Sequence, residues 1–541
     1  MRLLNPALAA VLCATAVALA APAFDYNKLY TLKTMPILHS VGQSDTAYIF
    51  SATAVGGKFP RTNVPIRDGG ASDLYRDPSD PTGTTFWSIN DRGMNVDYQP
   101  VSQDYKEFPF PYYHQKLMKL HILGDSVEVL SLDSIGGLDS GYTVGLVSSK
   151  SPTDEVALAM RLDSAIADST QKLPRSPNGY DFEGIAKDNA GHFYLSDEYG
   201  PFIVRVDSAT RKITKEWYPG HGLPTVLARR RVNRGLEALC ITPSGVLMGM
   251  MQSGMYNTVS GKKSSAKDST RVLRMIAFDP ADSTTREYAY LMDRKGGTRK
   301  MGDTKVGAIA CVNDSTFLVT EHGADNTSKY WMDIFRVTIT AQTTNVSKTI
   351  DPDSLGTLYA TGTRTLEQLG YIPNDSANLV GAGVVPVKKQ LYYGDVMART
   401  PWTHQKPEGL SVINDTTLAL INDNDYGMTD NSADGIPHLL PDIATHILYF
   451  KVNTPGTPAS VRAGSVAPSR SGFSVVADRG GWSVRGEGEF EVTLADAQGR
   501  ILARAASTQG LARIRGASSG GMYWVTVRGA GFQETHRVVP W

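Results

Sequence analysis

The sequence predicts an all-β chain: a β-propeller, taken as six blades, followed by a small C-terminal β-sandwich. Three observations lead there. Short apolar runs punctuated by Asn, Asp, Gly and Pro dominate, and long amphipathic helical periodicity is scarce. One hairpin-like pattern recurs along the chain. After Lys451 the composition changes: no further Lys occurs, and Arg carries the positive charge.

Taken in order, Met1 to Ala23 holds a single Arg and an apolar stretch of Leu, Ala and Val that ends in small residues. That is the pattern of a secretory signal peptide cleaved after Ala20 or Ala23. Cys13 lies inside it, which leaves Cys240 and Cys311, too few for a disulfide scaffold. The two read as buried small hydrophobes, with a disulfide or a metal role as the alternatives. No later run is long and apolar enough to span a bilayer. Lys+Arg and Asp+Glu balance at 54 each, so no overall field favours nucleic acid or an anionic membrane. An exported product is expected, secreted or at the cell surface, with the periplasm as the alternative.

Residues 24–454 form the expected propeller, organised around Asn178 to Pro201. Asp181 and Glu183 precede one apolar run, Lys187 to Gly191 makes a turn, and a second run ends in Asp197 and Glu198. Antiparallel pairing of the two runs sets these four carboxylates side by side at one rim. Like charges that close need a cation or hydrogen-bond donors, which makes the rim a candidate metal or catalytic site. The pattern returns around Glu237 with Gln252, around Glu408 with Asn422 and Asp423, around Ala308 with Glu321 and His322, and around Ser72 with Asn90 and Asp91. First-strand Glu to second-strand polar residue spans 14 (183 to 197), 15 (237 to 252) and 14 (408 to 422). Dividing the region by six gives units of about 70 residues, long for four-stranded blades, so insertions and one unrecognised blade before Glu183 are expected. Ala159 to Gln171 is the best helical candidate. Residues 455–464 read as a linker, and alternating runs within 465–541 suggest the sandwich.

At these residues the chain resembles the phytase-like proteins described as having esterase-like activity of the phytase family. The resemblance is carried by Asp181-Phe182-Glu183-Gly184-Ile185 with Leu195 to Pro201, and by Asn233 to Leu239 with Met251-Gln252-Ser253. It continues in Lys406 to Leu410 with Asn422-Asp423-Asn424, and in Gly69 to Ser72 with Asn90 to Gly93. It implies a propeller related to calcium-dependent phytases and more distantly to lactonases, with metal at the channel mouth. Ala308 stands where the repeat elsewhere has Glu. The tail, through Val492 to Ile501 and Gly520 to Val525, resembles C-terminal sorting domains of the type IX secretion system, which would make the secretion machinery a partner.

The residues then sort by chemistry. Glu183, Glu198, Glu237 and Glu408 are the candidate catalytic carboxylates. Asp91, Asp181, Glu183, Glu237, Glu408 and Asp423 are candidate ligands of Ca2+, since hard oxygen donors suit a hard cation and no Cys/His cluster suggests zinc. Arg92, Arg234 and Lys406 flank the rim and can neutralise an anionic substrate. The bland alternative is that Asp and Glu beside Gly cap strands and hold turns. His322 is an acid/base candidate, although a lone His is more often structural. Tyr105 to His114 either lines the mouth or packs on a blade. Asp430 to Gly435 imitates the start of an EF-hand loop, but Pro441 stands at the twelfth position. No Gly-x-Ser-x-Gly elbow or P-loop occurs. The expectation is metal-dependent hydrolysis of a small phosphoester or ester, against a lactonase-like enzyme or a non-catalytic binding propeller.

Overall fold

The computed structural model describes residues 25–32, 35, 49–50, 64–65, 68–97, 105–108, 112–151, 155–159, 172–256, 270–348, 358–359, 364–429, 438–439 and 444–452. In the tail it describes 474–478, 481–485, 489–496, 500–508, 511–515, 523–529 and 532–538. The chain divides into two compact units, Met1–Val452 and Asn453–Trp541. The expected signal peptide and the Asp430 to Gly435 loop lie outside the described residues. No helix among the described residues is long and apolar enough to cross a membrane.

The first unit is a β-propeller whose blades are antiparallel four-stranded sheets. Blade one runs through Tyr75–Arg76, Thr85–Ile89, Lys116–Leu123 and Ser126–Ser134. Blade two comprises Phe182–Lys187, Phe193–Asp197, Ile203–Val206 and Ile213–Pro219. Blade three is Leu236–Ile241, Leu247–Met251, Val272–Asp279 and Thr284–Leu291. Blade four is Lys305–Cys311, Thr316–Ala324, Tyr330–Thr338 and Lys388–Tyr393. Blade five is Pro407–Asn414, Thr417–Asn422 and His446–Lys451, completed by Lys28–Leu32 from the start of the chain, with Lys28 opposite Tyr449. That borrowed strand also runs parallel to Ser126–Ser134 of blade one, Thr31 facing Ser126, so the two ends of the propeller are clasped together.

The blades close a ring. Each first strand packs on the next, from blade one through blade five and back to blade one. The apolar cores follow the same circuit, one between each neighbouring pair. Trp87, Phe193 and Leu195 join blades one and two, and Tyr194, Trp217 and Leu239 join two and three. Met275, Tyr290 and Val319 join three and four, Ile334, Leu420 and Phe450 join four and five, and Tyr30, Phe86 and Tyr449 join five and one. Burying each sheet face against its neighbour is what holds such a ring, because no single blade has an apolar interior of its own.

Five blades close this ring among the described residues, where dividing the length suggested six. The extra length before Glu183 carries the outer strands of blade one and a separate three-stranded sheet of Val96–Asp97, Tyr105–Phe108 and Val156–Ala159. Ala159, where the expected helix would start, is the last residue of the Val156–Ala159 strand; residues 160–171 lie outside the described set.

Ring closure also explains the Glu-Gly dipeptides. A Cβ on Gly184 would stand 2.6 Å from the Leu239 amide nitrogen of blade three, and one on Gly409 would stand 2.4 Å from the Leu74 nitrogen of blade one. These contacts are with backbone, which cannot swing aside, so only glycine fits. Cys240 and Cys311, on neighbouring first strands, are joined in a disulfide with Cα atoms 5.7 Å apart. This overturns the reading of them as free buried hydrophobes; their matching positions in adjacent blades bring the sulfurs together.

The second unit is a β-sandwich. A three-stranded sheet (Ser474–Asp478, Gly481–Arg485, Leu511–Arg515) and a four-stranded one (Ile501–Ala506, Phe490–Asp496, Tyr523–Gly529, Phe532–Val538) share a core of Val484, Phe490, Val492, Leu494, Ile514 and Val525.

Two expectations follow for stability. Cys240→Ser with Cys311→Ser opens a loop of 71 residues, and chain entropy then lowers unfolding free energy by about 4 kcal/mol. Gly409→Ala forces the ring open and costs at least about 2 kcal/mol. Chemical denaturation measures both, and an unchanged midpoint in either variant contradicts the account.

Candidate active site at the channel mouth

Each of blades two to five interrupts the pairing of its first two strands at the same place. Phe182 pairs with Asp197 and Gly184 with Ser196, which leaves Glu183 as the extra residue of a β-bulge. The same shift isolates Glu237 in blade three, Gly307 in blade four and Glu408 in blade five. A bulge turns its extra side chain out of the regular alternation, and here it takes a Glu in three blades. The register corrects the sequence alignment in two respects. Gly307, not Ala308, stands at the Glu position, and the spacing to the corresponding second-strand residue is uniform. Fifteen residues separate 183 from 198, 237 from 252, 307 from 322 and 408 from 423. Glu198, Gln252, His322 and Asp423 therefore form a second ring of equivalent positions, which Asp91 continues in blade one.

Of the four carboxylates expected on the blade-two rim, three converge. One oxygen each from Asp181, Glu183 and Glu198 lies within 4.8 Å of the other two, and all three residues are buried. Asp197 is turned away, accepting from the amides of Asp181 and Gly200, the latter at 2.8 Å. Glu237 Oε2 accepts from Gln252 Nε2 at 2.7 Å. Asp91 Oδ1 accepts from the Gly93 amide at 2.8 Å. Asp181 Oδ2 and Glu198 Oε1 are buried without a hydrogen-bond partner. Orphaned carboxylate oxygens in a set of hard donors fit a divalent hard cation, whose ligands here would be Asp181, Glu183 and Glu198.

Burial pushes the carboxyls of Glu183, Glu237 and Glu408 well above their usual range, and neighbouring carboxylates add to it, Asp181 foremost for Glu183, Glu198 for Glu237 and Asp423 for Glu408, where Lys406 offsets part of the rise. Asp91 is raised in the same way by burial and by Asp423 and Asp181. Glu198 and Asp423 are raised less, Glu198 being relieved by Arg92 and Asp423 by Lys406.

The cations expected to meet substrate are largely occupied. Arg92 Nη1 donates to Glu155 Oε1 at 2.8 Å and lies 3.5 Å from Asp181 Oδ2. Lys406 Nζ lies 3.0 Å from Asp423 Oδ2, also bonds Asp425, and stands 4.0 Å from Glu408 Oε1. Arg234 donates to the Gly302 carbonyl at 3.2 Å. From the aromatic stretch, Tyr113 is buried, donating to Asp68 Oδ1 and packing edge-on to Tyr426.

Sequence reasoning missed Glu155, Arg230 and Lys305. Glu155 arrives from the insertion after blade one and has no motif to mark it. Arg230 donates to the Tyr199 carbonyl at 3.0 Å behind Glu198; the Arg229 to Arg231 run was its only sign. Lys305 stands two residues before the blade-four bulge, as Lys406 does in blade five, a parallel visible only once Gly307 is aligned correctly.

The model of a family described as Phytase-like: Esterase-like activity of phytase matches residues 66–426, a span that holds every residue of the mouth. No curated protein matches the sequence. Among solved structures the chain is similar to PorZ, a surface component of the type-IX secretion system of Porphyromonas gingivalis, at 11% identity over 88% of this chain, with a TM-score of 0.25. It spans 60% of the length of PorZ. It is also similar to an α-L-arabinofuranosidase from Podospora anserina (8% identity, 80% of this chain and 98% of that one, TM-score 0.32). A third is virginiamycin B lyase from Staphylococcus aureus (8% identity, 72% and 87%, TM-score 0.25).

Carboxyls raised in the folded protein bind more protons there than in the unfolded chain, so they favour folding below their ordinary pKa and cost stability as pH rises through the folded values. In EDTA the melting temperature is expected to fall from about pH 5 to about pH 8, and Glu183→Gln is expected to flatten that slope and raise the value at the alkaline end. Parallel slopes in the parent and the variant would show that the cluster is not the source.

Proposed function

We propose, from the premise that this chain belongs to the phytase-like family, that its channel mouth is the active site of an exported hydrolase acting on phosphoester or ester bonds with a divalent cation, calcium by the chemistry of the donors. The observation that carries the reading is the convergence of Asp181, Glu183 and Glu198 with two orphaned oxygens. A bound calcium ion would supply Lewis acidity toward a phosphoryl or carbonyl oxygen.

The chain's own residues supply the rest. Glu237 accepts a hydrogen bond from Gln252, and burial together with the neighbouring Glu198 and Glu408 raises its carboxyl, so it can hold a proton to hand to a leaving oxygen. Glu408 faces the same mouth and, held by Lys406, can take a proton from water. Arg92 and Glu155 fix Asp181, since the Arg92 amide donates to Asp181 Oδ1 at 3.1 Å while its guanidinium bridges to Glu155. The Cys240–Cys311 disulfide supports an oxidising destination, in keeping with export.

One observation favours a second reading. Asp181 and Glu198 are each about 1% exposed, so an ion there would also serve simply to hold the blades together.

Full-length protein is assayed on phytate, p-nitrophenyl phosphate, p-nitrophenyl acetate and a γ-lactone, in EDTA and with calcium restored. Calcium-dependent turnover is expected, falling at least about a hundredfold in Glu183→Gln with the fold intact. Preference for the lactone would redirect the reading to a lactonase. Absence of turnover on every substrate, with calcium only raising the melting temperature, would leave the second reading standing.

A further inference from the structure

Blades two and five carry the same three positions at the mouth, filled with different charge. Asp181 and Lys406 each stand two residues before the bulge, Glu183 and Glu408 are the bulge residues, and Glu198 and Asp423 follow fifteen residues later. Blade two therefore gathers three carboxyls, and blade five two carboxyls and an ammonium. Blades three and four complete neither set. They place Gly235, Glu237 and Gln252, and Lys305, Gly307 and His322, at these positions. His322 brings no charge, because burial and the cations Lys305, Arg234 and Lys406 push its pKa down to about 3.

The partners of the oxygens differ accordingly. In blade two Asp181 Oδ2 and Glu198 Oε1 are buried without a hydrogen bond, and the Arg92 guanidinium, 3.5 Å from Asp181 Oδ2, already donates to Glu155. In blade five Lys406 Nζ lies 3.0 Å from Asp423 Oδ2 and 4.0 Å from Glu408 Oε1, and it also bonds Asp425. Asp423 Oδ1 accepts the Asp425 amide at 2.9 Å. Among the described residues, neither Glu408 nor Asp423 leaves a buried oxygen without a hydrogen-bond partner. An ammonium is a compact point charge with three donors, so it can answer several oxygens at once. One set is short of a cation and the other contains its own.

We propose that Lys406 is a tethered cation: its ammonium fills in blade five the place that a divalent ion would fill in blade two, so that the mouth takes one such ion, at Asp181, Glu183 and Glu198, and Lys406 sets that number. Seating a second divalent ion means displacing the ammonium from three carboxylates. The inference rests on the cation reading of blade two and deepens it.

The test counts calcium ions by calorimetric titration of full-length protein, stripped with EDTA and then freed of it, with calcium as the only ligand. The parent is expected to bind an ion that is lost in Glu183→Gln. Lys406→Met, which removes the charge and keeps most of the side-chain length, is expected to bind one ion more than the parent. Lys406→Asp, which copies blade two, should bind that extra ion about tenfold more tightly than the Met variant, since ligand charge sets affinity. Lys406→Arg keeps the charge and should gain none. The gained ion should survive addition of Glu183→Gln and vanish with Glu408→Gln. Lys406→Gln replaces the Met variant should that one fail to fold. No gain in the neutral variants overturns the proposal. So does an equal gain in Lys406→Arg, or a gain in Lys406→Asp alone, because the new carboxylate would then have made the site. A parent that already holds an ion sensitive to Glu408→Gln and indifferent to Glu183→Gln overturns it too. A parent ion lost in Glu183→Gln with no gain in any Lys406 variant would sink the tethered cation and spare the hydrolase reading. A gain in Lys406→Met, from a parent that binds no ion through Glu183, would do the reverse.

Discussion

The structure depends on a repulsion that it does not relieve by itself. Bulges at equivalent places in blades two, three and five turn Glu183, Glu237 and Glu408 toward one another at the mouth, and the second-ring positions add Asp91, Glu198 and Asp423. Bringing like charges out of water costs several kcal/mol per ion unless partners compensate. Arg92, Arg230 and Lys406 compensate part of this, yet Asp181 Oδ2 and Glu198 Oε1 are left without a hydrogen bond, the first with only the Arg92 guanidinium 3.5 Å away.

The ring makes this concentration of charge possible. Inner strands approach so closely that glycine must follow the bulge at Gly184 and Gly409. That closeness is sustained by five inter-blade cores, by the first strand of the chain completing the last blade, and by the disulfide between blades three and four. Strands this well buttressed can hold charged side chains in positions they would otherwise leave, which is the preorganisation that electrostatic catalysis requires. The mouth is also polarised. Blade two presents carboxylates, while blade four, with glycine in place of Glu, presents a neutral histidine beside Lys305.

Much of this was legible in the residues. Glu-Gly before an apolar run and an acidic pair after the next one marked the strand pair and its rim, because antiparallel pairing leaves few other arrangements. The register was misread by one residue in places, since a bulge adds a residue that alternation alone does not reveal; this is why Ala308 was aligned with Glu183 when Gly307 belongs there. Among the described residues five blades close the ring, because insertions contribute length without adding to it. Glu155 and Arg230 reach the mouth from outside the repeat, and no local pattern marks a residue whose role is set by tertiary proximity. The cysteine pair was visible as a matched position, but adjacency of blades three and four had to be known before a bond between them became the natural outcome.

The most direct test of the central claim is a calorimetric titration of EDTA-stripped, full-length protein with calcium. Saturable binding that is lost in Glu183→Gln is the predicted result, because Glu183 stands in the converging carboxylate set. Absence of binding by the parent, or binding indifferent to Glu183, would contradict the claim that the mouth is built around a cation.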